Sequence, residues 1–177
     1  MRFFFYGLLA DRDVLELVLG RPVTDWPPPR AKLPGYRLAR LRGETFPVLV
    51  PASGSHVPGI VVDDLSKADV DRILFFESVE YAPTPVTVIL EEGDRPLGAQ
   101  AFLPTARGSL DDTPWRLEDW QARHKPAALE EAALWMALYG HLGAAEADRL
   151  WDEAVARGRS IADMVAEITA RRSRTRR

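Results

Sequence analysis

The sequence predicts an α+β protein: a small mixed sheet or partly closed barrel with an inserted helix and a C-terminal helical extension. Three observations carry that expectation. Short runs of β-branched and aromatic residues recur up to Pro104 at hairpin-length separations. One helical pattern, Ser66 to Tyr81, interrupts them. Beyond Pro104, alanine, leucine, tryptophan and charged residues take over, as a helical segment requires. The implied division is a barrel domain over 1–108, a helical extension packed on it over 109–170, and a disordered, arginine-rich tail over 171–177. A chain of 177 residues, 46% of them hydrophobic, can bury a sizeable core.

Taken in order, Phe3 to Tyr6 is an aromatic run closed by Gly7, which reads as a buried first strand ending in a loop that holds Leu8 and Leu9. Asp11 then caps a helix carrying Val14, Leu15, Val18 and Leu19, and Gly20 with Pro22 ends it. A strand, a glycine loop and a helix start in succession can present backbone N–H groups to a carboxylate or a developing oxyanion. The same pattern also describes a plain strand-to-helix turn. Thr24 to Pro34, with Pro27, Pro28 and Pro29, reads as irregular. Strand-like pieces follow at Tyr36 to Leu41, Phe46 to Val50 and Val57 to Asp63, with a turn at Ala52-Ser53-Gly54-Ser55. Pro85 to Glu91 alternates, Glu92-Gly93-Asp94 turns, and Ala99 to Leu103 is the last strand.

Within the inserted helix, Ser66 and Asp69 have the spacing of a capping box. Val70, Ile73 and Leu74 then mark one apolar face, and the next position on it, seven residues after Val70, is Glu77. A carboxylate stands where packing calls for an apolar residue. Glu80 lies off that face. Desolvation and the negative end of the helix dipole both raise the pKa of such an acid toward the range of a general base near neutral pH. The pattern equally admits a structural role, with Glu77 turned outward or paired with an arginine.

In the last third, Trp115, Leu117 and Trp120 form a tryptophan-rich segment, and Leu129, Ala133 and Met136 form a stripe flanked by Trp135 and Leu138. Leu150, Trp151 and Ala154 mark another helix, and Ser160 with Asp163 starts a third bearing Ile161, Met164, Val165 and Ile168. These stripes need a surface to cover, either the barrel or a second copy of the chain, which leaves a homodimer through the C-terminal helices open. Arg171, Arg172, Arg174, Arg176 and Arg177 read as a frayed, solvated end, with nucleic-acid attraction the lesser alternative.

A formal net charge of −3 gives no general reason to expect nucleic acid or a membrane surface as partner. The absence of cysteine excludes a disulfide, a zinc–thiolate site and a cysteine nucleophile, and fits a reducing cytoplasm. Neither a signal peptide nor a span of twenty apolar residues is present, so the chain reads as soluble and cytoplasmic. His56, His124 and His141 are scattered without ligand spacing, so no metal is expected. The sequence also lacks a phosphate loop, a dinucleotide fingerprint and a nucleophile elbow, which leaves chemistry without a cofactor.

Phe5-Tyr6-Gly7-Leu8-Leu9, Gly35-Tyr36, Phe46-Pro47-Val48-Leu49-Val50-Pro51 and Phe76-Glu77-Ser78 followed by Glu80-Tyr81 resemble, in order and spacing, the gamma-glutamylcyclotransferase-like family. The resemblance spans the barrel segment and implies that family's small mixed β-barrel. It implies Glu77 as catalytic acid/base, a substrate cradle at Tyr6, Gly7, Leu8 and Leu9, and Tyr81 as a pocket residue. The implied reaction is intramolecular acyl transfer in a small γ-glutamyl substrate, releasing 5-oxoproline and a free amine. Leu8 stands where a small hydroxyl residue is usual, and Ser78 where glycine is usual. The rival expectation is a non-catalytic ligand-binding or interaction module on the same fold. The sequence assigns no arginine or lysine to the substrate carboxylate, although Arg40, Arg42 and Arg107 are available.

Overall fold

A computed structural model describes residues 1–106, 108–111 and 113–175. Six strands form the sheet: β1 (Phe3–Phe5), β2 (Arg30–Leu41), β3 (Pro47–Val62), β4 (Tyr81–Leu90), β5 (Pro96–Pro104) and β6 (Leu110–Asp111). The order β3-β1-β5-β4-β2 closes on itself because β2 also pairs with β3, and β6 adds to β2. Only β1 and β5 among the described neighbours run parallel, so the closed barrel is mixed. The expected fold class is the observed one.

Alternation along β1 builds two cores from one strand. Phe4 and Tyr6 join Leu33, Val57, Val88 and Ala101 inside the barrel. Phe3 and Phe5 face outward and join Leu15, Ile73 and Trp120 beneath the helices. The barrel wall is tight at Gly59, where a Cβ would lie 2.3 Å from the Phe5 carbonyl oxygen and 2.6 Å from the Phe4 ring. Only glycine lets β1 press this closely on β3.

Several expected boundaries move, each for a local reason. Pro34 lies inside β2 rather than in the irregular segment, and it is tolerated at a break in register between Pro34 and Tyr36. The expected Ala52-Ser53-Gly54-Ser55 turn does not end a strand. Its residues bulge outward opposite Gly35, so the two pieces on either side form the single strand β3. β4 begins at Tyr81 and β5 at Pro96, both earlier than their alternation suggested. The short β6 carries no sequence signal.

The helices are α1 (Arg12–Leu19), α2 (Lys67–Glu77), α3 (Leu117–Arg123), α4 (Lys125–Ala137), α5 (Ala144–Ala156) and α6 (Ile161–Thr175). Asp11 caps α1 by accepting from the Asp13 and Val14 N–H groups, and Gly20 ends it at φ 67°. Asp11 also accepts from Gln121 at 2.7 Å and Lys125 at 2.8 Å, which fastens the start of α4 to the start of α1. These donors hold its carboxyl below the ordinary range despite burial. In α4 the inward residue is Ala132, and Ala133 is exposed. In α2 likewise Leu74 is exposed while Phe75 packs inward. Both corrections are shifts of one position, within the slack of a 3.6-residue period.

Ser160 starts α6 with a 3.2 Å bond from the Asp163 N–H, and the helix continues through Thr175. The expected tail therefore begins inside a helix; Arg176 and Arg177 lie outside the described residues. No helix among the described residues is long and apolar enough to cross a membrane.

Candidate active site

The site is organised by α2. Ser66 Oγ accepts from the Asp69 N–H at 3.1 Å, and Asp69 accepts in return from the Ser66 N–H at 2.9 Å. Arg21 adds two bonds to the Asp69 carboxylate, at 2.9 and 2.8 Å. With its start fixed, the helix sends Val70 and Ile73 into the core. Glu77, further along the same face, is its last residue and lines a cavity of about 320 Å³.

Glu77, Tyr6, Gly7, Leu8, Leu9 and Tyr81 all line this one cavity. β1 delivers Tyr6 and the turn after it, α2 delivers Glu77, and the start of β4 delivers Tyr81. The loop between β2 and β3 adds Glu44, Thr45 and Phe46, and Pro47 follows. A further wall comes from the C-terminal helices: Ala128, Glu131, Ala132 and Trp135 of α4, and Asp148, Trp151 and Asp152 of α5.

Glu77 is half-buried, and nothing among the described residues hydrogen-bonds its carboxylate. Burial without a partner pushes its pKa up to about 8, from an ordinary 4.5. The C-terminal end of α2 acts in the same direction. Two phenols stand near it. Tyr6 donates to the Phe102 carbonyl at 2.5 Å, while the buried Tyr81 hydroxyl has no partner among the described residues. Burial first, and the Glu77 charge second, raise both phenol pKa values, so both hydroxyls stay protonated and able to donate.

Leu8, Leu9 and Ala10 form one turn of 3₁₀ helix, with Ala10 donating to the Gly7 carbonyl at 3.0 Å and Asp11 to that of Leu8 at 2.9 Å. No side chain among the described residues caps this turn, and the Leu8 and Leu9 N–H groups precede its first hydrogen bond. A Cβ on Gly7 would come within 3.2 Å of Pro47 Cγ, on the cavity wall.

Ser78 follows Glu77 at φ 57° and ψ −155°, a conformation that favours glycine. Its hydroxyl donates to the Asp148 carboxylate on α5. Trp135 of α4 donates to the Phe75 carbonyl at 3.1 Å, so both C-terminal helices are tied to the end of α2 beside Glu77.

The C-terminal half of this wall was not foreseen from the sequence, which gave the tryptophan stripes a packing role. A signal exists: Glu131 with Trp135, and Asp148 with Trp151 and Asp152, share helix faces at three- and four-residue spacings. Arg40 is paired with Asp111 at 2.8 Å, and neither Arg40 nor Arg42 lines the cavity. Arg107 lies outside the described residues.

Residues 3–122 match the model of the family described as gamma-glutamyl cyclotransferase, AIG2-like. AIG2-like protein A of Arabidopsis thaliana is 26% identical over 128 residues, covering 72% of this chain and 76% of the relative. AIG2-like protein D of the same plant is 28% identical over 130 residues, covering 72% and 83%. The solution structure of an Arabidopsis thaliana protein, 25% identical, superimposes with a TM-score of 0.54 over 73% of this chain and 86% of its own. A second Arabidopsis thaliana solution structure, 22% identical, shares the fold with a TM-score of 0.55, covering 73% and 78%. With its mixed barrel and a family match over most of its length, this chain belongs to the AIG2-like gamma-glutamyl cyclotransferase family.

Proposed function

We propose that the protein is a γ-glutamyl cyclotransferase, with Glu77 as general acid/base. The observation that carries this reading is a partly buried carboxylate with no partner among the described residues, set in a cavity beside Tyr6, Tyr81 and the turn after Gly7. Leaving such a group bare is costly unless it works on something that enters.

The substrate carries its own nucleophile. Its α-amino nitrogen attacks the γ-carbonyl carbon while Glu77 takes the proton that nitrogen loses. The negative charge gathers on the carbonyl oxygen, where the Leu8 and Leu9 N–H groups and the Tyr81 hydroxyl are the available donors. The bond from the γ-carbon to the leaving nitrogen then breaks, and Glu77 returns its proton to that nitrogen. One γ-glutamyl amide thus gives one 5-oxoproline and one amine, with no water consumed. Proton transfer of this kind contributes roughly a hundred- to ten-thousandfold, and a well-placed oxyanion donor about 3 kcal/mol. A Glu77 pKa of about 8 suits a group that must both take and give a proton near neutral pH.

The test is release of 5-oxoproline from a panel of γ-glutamyl amides by the wild type and Glu77→Gln. Turnover by the wild type that falls at least a hundredfold in the folded variant supports the assignment. Equal turnover by both removes Glu77 from the chemistry. If no amide is turned over but the panel still raises Tm, the non-catalytic binding module takes its place.

A further inference from the structure

Helix α2 ends on a junction that does not hold its own shape. Ser78 sits at φ 57° and ψ −155°, a region open to glycine and costly for a residue with a Cβ, and the side chain before it is Glu77. The backbone here sets where the last turn of α2 points the Glu77 carboxylate. Within the helix the restraint is weak. The last turn holds no basic residue to meet its free carbonyls, and the bond from the Ser78 N–H to the Phe75 carbonyl is long at 3.3 Å.

The helical extension supplies the restraint instead. Asp148 of α5 accepts the Ser78 hydroxyl, and Trp135 of α4 donates through Nε1 to the Phe75 carbonyl at 3.1 Å. These two bonds bracket Glu77, one from either side along the chain. Their own supports are firm: the Trp135 ring packs on Phe75 at 5.4 Å and on Trp151 at 5.4 Å, Trp151 follows Asp148 by three residues on α5, and Ala147 beside Asp148 is fully buried. Both helices begin beyond the matched residues 3–122, at Lys125 and Ala144. The brace therefore comes from a part of this chain that the family model does not reach.

We propose that Asp148 and Trp135 are positioning residues for Glu77, with Ser78 as the link through which α5 keeps that carboxylate turned into the cavity. This rests on the cyclotransferase reading and adds that the acid/base works only with the C-terminal helices docked against it. The link has a behaviour that an ordinary contact lacks. The Ser78 hydroxyl is needed only because this residue carries a Cβ, since glycine takes the same backbone shape without help. Ser78→Gly should therefore rescue the loss of Asp148. A wall residue that touches substrate, or one that only stabilises the fold, would be missed equally with or without that change.

The experiment compares full-length wild type with Ser78→Ala, Ser78→Gly, Asp148→Ala, Asp148→Asn and the double variant Ser78→Gly/Asp148→Ala. Release of 5-oxoproline from the γ-glutamyl amide panel gives kcat and KM, and carboxyl-carbon NMR, assigned by the signal missing in Glu77→Gln, follows Glu77 through pH. In Ser78→Ala and Asp148→Ala, kcat should fall about tenfold with KM within about twofold, because the acid is misplaced rather than the binding surface removed. Asp148→Asn, which keeps an acceptor oxygen, should lose less, and the double variant should recover to within about threefold of the wild type. Trp135→Phe keeps the ring and loses the N–H, and should cost about threefold in kcat.

Ser78→Ala changes no charge: the carboxylates of Glu44, Glu80, Glu131, Asp148 and Asp152 and the phenols of Tyr6 and Tyr81 still line the cavity with Glu77. A Glu77 midpoint that drops from about 8 toward 4.5 in Ser78→Ala, and stays up in Ser78→Gly, reports the carboxylate turning out to water. A loss in Asp148→Ala that Ser78→Gly fails to rescue, or one Glu77 midpoint shared by Ser78→Ala and Ser78→Gly, overturns the proposal while the cyclotransferase reading stands. If no amide releases 5-oxoproline, that reading fails, and the midpoints alone decide: a drop confined to Ser78→Ala supports the brace, and no difference ends it.

Discussion

The two ends of α2 carry the same functional group in opposite states. At the first turn, Asp69 is buried and fully answered: Arg21 grips it twice, and Ser66 donates from both backbone and hydroxyl. Those donors hold its carboxyl far below the ordinary carboxylate range. At the last turn, Glu77 has no donor among the described residues, and burial pushes it up to about 8. Helix direction reinforces the contrast, since the N-terminus favours a negative charge and the C-terminus opposes it. The lesson is that burial alone says little about a carboxylate; the count of donors around it separates the acid that holds the helix from the acid left free to react.

Replacing Glu77 by glutamine breaks the contrast most severely. Turnover should fall a hundred- to ten-thousandfold, while Tm stays level or rises, because an uncompensated acid has been removed. A large fall in Tm would place Glu77 with Asp69 as a structural group.

Arg21→Ala attacks the other end. Because Arg21 is about half exposed, the expected loss is moderate, about 1.5 kcal/mol at pH 7. The Asp69 contribution is present above its unfolded value near 3.8 and is lost as pH falls through its lower folded value. Urea melts at pH 7 and in acid should therefore show the variant's deficit shrinking below about pH 4. A deficit independent of pH would mean that Arg21 acts only by packing.

Glu77 should have the opposite pH signature. Its folded pKa is raised, so the associated stability is present below about 4.5 and lost as pH rises through about 8. Relative to Glu77→Gln, the wild type should lose stability across that window by at most about 1.4 kcal/mol per pH unit. The rate should rise along a limb centred near pH 8 as the carboxylate forms. A limb near pH 4.5 would show that Glu77 is solvated like an ordinary acid.

The smallest effect belongs to Ser78. Ser78→Gly relieves a φ of 57° but loses the bond to Asp148, so its stability should stay within about 1 kcal/mol of the wild type. Ser78→Ala keeps the strain and loses the bond, and should be the less stable of the two by a similar amount. The reverse order would mean that the hydroxyl contributes nothing at this junction.

The sequence made α2 legible because capping and periodicity are local: Ser66, Asp69 and the Val70-Ile73-Glu77 face are all set within one helix. Strand count and hairpin spacing made a mixed sheet or partly closed barrel legible; the closed mixed barrel came with the family resemblance. What escaped were relations across distance. No local rule says that Arg21 meets Asp69, that Lys125 and Gln121 reach Asp11, or that Asp148 receives the Ser78 hydroxyl. The long bulge at 52–55 was hidden because its glycine and serines are also the residues of a plain turn. The acidic wall was hidden because Trp135 and Trp151 at helical spacing look like packing, and only the fold shows that they also border a cavity.

The paired indoles give that cavity an optical readout of its own. Of five tryptophans in the chain, Trp135 and Trp151 are the two that line it. Because they are in edge contact with each other and set among charged side chains, their emission depends on what stands between those charges. A molecule entering beside Glu77 would change the colour or yield of the protein's intrinsic fluorescence without any label, and a Trp151→Phe variant would show how much of that signal comes from the α5 side of the wall.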